Sequence, residues 1–170
     1  MASSGNLAHV YFTSGPDRMT NEAIETLYHG LIEALSGHPG MGALMVRSAA
    51  GGVLVFGPRG RLELTSGQSD GIDPLADYGL QAAENLLHLD GFPNAGDLIL
   101  LGAVDRVSGE VTGFEELVGS HGGLGGWQAE PFILCPAGFE LAEDPLVGAP
   151  ALYRQLTAWQ IQLRAEQDAH

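Results

Sequence analysis

Lysine is absent from this sequence. Its 170 residues carry seven basic side chains, all of them arginine, against 21 acidic ones, for a formal net charge of −14. Without lysine there is no P-loop, whose lysine must reach the phosphates. The basic footprint that nucleic-acid binding requires is missing too. A surface this acidic is repelled by anionic membranes. Cysteine is nearly absent as well. A single residue, Cys135, excludes an internal disulfide and fits a reducing compartment. No apolar run approaches the ~20 residues that span a bilayer. The first residues, MASSGNLAHVYF, lack both the basic and the apolar stretch of a signal peptide. These absences lead us to expect a soluble, cytoplasmic chain without nucleic-acid or membrane partners.

Apolar residues are plentiful at 45%. A chain of this length makes one domain and buries about two-thirds of its unfolded surface. Glycine, with 25 residues, stands at about twice its usual share of ~7%. Along the chain, Ala8–Thr13 predicts a short strand. Thr20 is a candidate N-cap for a helix through Leu35, ended by Gly37 and Pro39. Ala43–Arg47, Gly52–Phe56 and Arg61–Thr65 predict a small antiparallel meander punctuated by glycines and by Pro58. Ser66–Pro74 predicts a polar loop and Leu75–Leu89 a second helix, with Leu80, Ala83, Leu86 and Leu87 on its apolar face. Asp97–Val104 is almost continuously apolar and predicts a strand buried on both faces. Phe114–Val118 predicts a short turn or helical piece, Pro131–Cys135 a short strand, and Pro150–Glu166 a terminal amphipathic helix with an acidic tail. The alternation makes the fold class α/β.

Gly119–Gly126 is the densest glycine segment, and it holds His121. Flanking glycines permit close approach of a ligand and leave the imidazole uncovered. A neutral imidazole is a good zinc ligand. The alternative is a tight glycine turn with an incidental surface histidine. Glu115 and Glu116 could support that histidine, but a solvated helix start is the stronger reading. Gly67-Gln68-Ser69-Asp70-Gly71 matches the G-x-S-x-G pattern, and Asp97 or Asp105 with His121 completes a nominal Ser–Asp–His order. A nucleophile elbow needs a helix starting at the serine, and Pro74 delays it, so ordinary loop chemistry is the stronger reading of Ser69. His29, His38 and His88 fall near helix ends, where cations complement the dipole. His9 suits a core or sheet-face position, Trp127 and Trp159 a core or an interface, and Cys135 a small inert hydrophobe. No H-x-H, H-E-x-x-H or C-x-x-C spacing occurs.

Three segments carry a family resemblance: SSGNLAHVYFT from Ser3, LDGFPNAGDLIL from Leu89, and above all FEELVGSHGGLGGWQAEPFILCP from Phe114. They resemble bacterial members of the alkaline phosphatase superfamily, of the type I phosphodiesterase/nucleotide pyrophosphatase kind. The resemblance covers Ser3–Pro136 and corresponds to the C-terminal portion of that family's catalytic domain. It implies a phosphoric ester hydrolase that uses two divalent metals, usually zinc, with a Ser or Thr nucleophile. It implies that His121 is a metal ligand and that Gly122 and Gly123 make room for the substrate phosphate. The family's nucleophile and its Asp-His-Gly ligand pair have no counterpart here, since no Asp-His occurs. The resemblance therefore implies a chain inactive alone and completed by an N-terminal partner or segment. A non-catalytic binding or structural remnant is the alternative, and homo-oligomerisation is the other expected way to cover an open sheet edge. The expected architecture is a partial alkaline-phosphatase-like mixed sheet flanked by helices, with the meander as an insertion. The expected division is 1–147 for that domain and 148–170 for the C-terminal helix and tail.

Overall fold

The computed structural model describes residues 1–116, 118–142 and 145–168. Leu117 of the predicted Phe114–Val118 turn, and Ala169–His170 of the tail, lie outside the described residues. Two compact units emerge, Met1–Pro131 and Phe132–His170.

The first unit is mixed α/β. Its sheet contains seven strands: β1 Ala2–Ser4, β2 Leu7–Val10, β3 Met41–Arg47, β4 Val53–Gly57, β5 Gly60–Glu63, β6 Ser69–Gly71 and β7 Leu98–Gly102. Their spatial order is β1-β2-β7-β3-β4-β5-β6. Every pairing between these strands is antiparallel. The expected mixed sheet is thus corrected to an antiparallel one. The meander is not an insertion either: β3 pairs directly with β7, so β3–β6 continue the main sheet.

All five residues of β7 are buried. The alternation of a strand explains how both faces stay dry. Leu98 and Leu100 pack with Leu44, Val46 and Ala8 under Ile24 and Ile32. Those two isoleucines belong to α1 (Asn21–Leu27) and α2 (Leu31–Ser36). Ile99 and Leu101 face the other way, against Met45, Val55 and Leu86. Leu86 lies on α3 (Ala82–Asp90). Helices on both faces, rather than parallel pairing, make the continuous apolar run.

Two predicted helices are shorter than their apolar spacing suggested. The first breaks because Gly30 takes a left-handed φ of 76°, and the Glu25 carboxylate accepts its N–H at 3.0 Å. The second starts at Ala82 because Gly79 has φ 88° and cannot continue a helix. Leu80, expected on the apolar face, is fully exposed in consequence. Thr20 caps α1 as expected, accepting the Ala23 N–H at 3.4 Å. Pro131–Cys135, expected as a strand, takes no regular secondary structure.

The second unit is built on α4 (Gly148–Asp168). Buried Ala151, Gln155 and Trp159 recur every four residues along it. The Gln155 amide accepts the Ala142 N–H at 2.7 Å and donates to the Glu140 carbonyl at 3.1 Å. Trp159 donates to that same carbonyl at 3.0 Å. Among the described residues no helix is long and apolar enough to cross a membrane.

Candidate functional site

The glycine-rich segment folds against the turn between β1 and β2. That turn is Gly5-Asn6, with Gly5 at φ 57°. Asn6 is fully buried. Burial of an amide demands that its donors and acceptor be matched. Its Nδ2 donates to the Leu124 carbonyl at 2.8 Å, and its Oδ1 accepts from Gln128 Nε2 at 2.8 Å. Gln128 Nε2 also reaches the Leu124 carbonyl at 3.2 Å, closing a three-residue network. On the sheet side, the Gly102 N–H donates to the Asn6 carbonyl at 2.8 Å. The loop is thereby fixed to the end of the buried strand β7.

Three further contacts hold the loop's entrance. The Gly5 N–H donates to Glu115 Oε1 at 2.9 Å, and the Phe114 N–H to the Gly5 carbonyl at 2.8 Å. Ser4 Oγ lies 3.4 Å from both His121 Nδ1 and the His121 carbonyl oxygen. His121 itself is exposed. The glycines beside it serve close packing of the chain on itself. A Cβ on Gly123 would collide with Asn6 Oδ1, and one on Gly122 would come within 2.7 Å of Ser4 Oγ at a φ of 80°.

The nominal Ser–Asp–His residues are not brought together. Ser69 lies exposed on the edge strand β6, opposite Leu62, and no helix begins at it. Asp97 sits at the opposite end of β7 from the His121 loop. Its carboxylate is buried and takes the N–H groups of Phe12, at 2.6 Å, and Met19. Asp105 tightens its own loop by accepting from Val107 and Ser108 at 2.7 and 3.0 Å. Ser120 donates to Gln128 Oε1 at 3.3 Å and so belongs to the loop's scaffold. Glu115 supports the β1–β2 turn rather than the imidazole. Trp127, expected in a core or interface, is 71% exposed and donates to the Ser108 carbonyl at 2.8 Å.

Among the described residues no three His, Cys, Asp or Glu side chains converge to hold a metal ion. The donor set at the loop is one exposed imidazole, with the Glu115 carboxylate already engaged by Gly5. These residues do not by themselves complete a metal centre. Sequence reasoning singled out His121 and not Ser4, Asn6 and Gln128, which the structure places around its loop. The available signal was the Ser-Gly-Asn triplet, whose glycine and asparagine mark a tight turn. Comparison of the chain with protein-family models, curated proteins and solved structures finds no match.

Proposed function

We propose that this chain is the C-terminal part of a metal-dependent phosphodiesterase or phosphatase of the alkaline phosphatase superfamily, of the type I phosphodiesterase/nucleotide pyrophosphatase kind. The antiparallel sheet and its helices are then one portion of that family's larger α/β domain. In this reading His121 contributes one imidazole to a divalent metal site, zinc by resemblance. The remaining ligands and the nucleophile come from a preceding segment or a partner chain. The observation that carries the proposal is the mounting of His121. An uncovered imidazole stands on a loop whose backbone is fixed from below by a fully buried asparagine. Such support of a ligand-bearing loop is what a preorganised site requires.

The chain's own contribution to chemistry is positional. Asn6 and Gln128 hold the Leu124 carbonyl, and Ser4 lies beside His121 Nδ1, leaving Nε2 for a ligand. The test is hydrolysis of a chromogenic phosphodiester. The 170-residue chain alone is expected to show no zinc-dependent turnover. Joined to the segment encoded upstream in the same frame, it is expected to turn over, with His121→Ala lowering kcat by about a hundredfold or more. Turnover indifferent to His121→Ala overturns the assignment. An upstream frame without a Ser or Thr nucleophile and an Asp-His-Gly favours the non-catalytic alternative.

A further inference from the structure

A cavity of about 210 Å³ opens at the same end of the sheet as the His121 loop. Its lining includes Gly42 of β3, Gly57 of β4 and Ala103, which follows β7. The register places these at one edge: β3 pairs Met41 with Gly102, whose N–H holds Asn6, and β4 ends at Gly57 opposite Gly60. Pro39, Pro58 and Pro74 supply rigid apolar wall, with Ile72 beside them. Two of the chain's few cations, Arg59 and Arg106, line the same space.

The two arginines differ in what they are committed to. Arg106 Nε is 2.6 Å from Asp77 Oδ1, so its charge is already matched. Asp73, also in the lining, accepts the Leu75 N–H at 2.8 Å and keeps its negative charge. Arg18, Arg47 and Arg61 also pair with aspartates. Arg59 has no ion pair or side-chain hydrogen bond among the described residues. It is nevertheless well placed. It sits in the two-residue turn between β4 and β5, and its carbonyl accepts the Ile72 N–H at 3.0 Å. A Cβ on Gly60 would collide with the Ile72 carbonyl, so the turn is pressed onto the strand beyond it. In a chain with 21 acidic residues, the exposed guanidinium of Arg59 stands without an ion-pair complement among the described residues, at the rim of a cavity whose walls mix these apolar groups with polar ones. The complement that fits is an anion carried on an apolar ring: the ring lies on the proline wall and the anion takes the planar fork of the arginine.

We propose that this cavity binds a small organic anion, an apolar ring bearing a carboxylate or a phosphate, with Arg59 as its charge partner. That such a ligand is the non-reacting portion of a phosphate ester substrate rests on the phosphoesterase reading above; the binding site itself does not. The test is titration of the ¹⁵N-labelled chain at low ionic strength with phenyl phosphate, benzoate and inorganic phosphate. Saturable shifts are expected at the Gly42, Gly57 and Ala103 amides with phenyl phosphate, benzoate or both, and the stronger ligand identifies the anion. Inorganic phosphate is expected to bind at least about tenfold more weakly, for want of the ring. Arg59→Gln is expected to raise Kd about tenfold or more. Arg61→Gln, which removes the same charge two residues away, is expected to leave Kd unchanged. Shifts that spare the cavity overturn the proposal, as does equal weakening by Arg59→Gln and Arg61→Gln. Inorganic phosphate binding as tightly as the ring-bearing anions overturns it too. Binding with the expected pattern supports the cavity even where the joined polypeptide fails to hydrolyse esters, an outcome that removes only the enzyme assignment.

Discussion

Asn6 has no local partner for either end of its amide. Its hydrogen-bond partners lie 118 and 122 residues away along the chain. This is why its role was hidden in the sequence, while His121 stood out through its own glycine neighbours. Asn6→Ala removes one partner from each of the part-buried Leu124 carbonyl and Gln128 Nε2, leaving them only each other. A loss of about 2–4 kcal/mol is expected in urea unfolding. Gly123→Ala drives a Cβ into Asn6 Oδ1 and is expected to destabilise comparably. The two changes act on one contact, so the double variant is expected to cost less than the sum of the singles. Strict additivity argues that Gly123 is required for another reason.

At the scale of elements, the sequence showed what was buried more clearly than how it was paired. The run at Asp97–Val104 was legible as a strand dry on both faces, and β7 is one. Its direction relative to its neighbours was not legible, because hydrophobic continuity reports burial and not ladder polarity. Helix lengths were overestimated for a similar reason. Apolar spacing continued past Gly30 and Gly79, but each glycine takes a left-handed φ that ends the helical register. β6 leaves no strand signal in the sequence because its three residues, Ser69–Gly71, are all exposed and carry no buried alternation. The two-sided core makes a testable claim. Leu100 and Leu101 belong to opposite core clusters. Leu100→Ala and Leu101→Ala are each expected to cost about 2–5 kcal/mol by denaturant unfolding. A cost below ~1 kcal/mol for either places that face of β7 in contact with water.

For the whole molecule, the excess of acid sets how stability responds to pH, and two opposing effects must be separated. Acidification neutralises some of the −14 charge, which relieves self-repulsion in the compact state. Specific groups work the other way. His9 is held below its usual 6.5, first by burial and then by the Arg18 charge, and its Nδ1 accepts the Gly96 N–H at 3.0 Å. Below pH 6.5 the unfolded chain therefore takes up a proton that the folded one resists, and stability falls. Glu63 is held at about 2 instead of 4.5, chiefly by Ser66 and then by the Thr65 N–H. Glu22 and Asp105 are lowered too, foremost by the N–H groups of Ala49 and Ser108 respectively. Their stabilisation is complete above the ordinary carboxylate range and is lost as pH falls through it towards 2. Salt at ~1 M shrinks the screening length to about 3 Å, which suppresses the diffuse repulsion more than these short contacts. Urea midpoints measured in such salt from about pH 8 to 3 are expected to descend in two stages. His9→Gln should flatten the stage beginning near 6.5, and Glu63→Gln should reduce the one beginning near 4.5. A midpoint constant between about pH 8 and 5 would show that His9 titrates alike in the folded and unfolded chains.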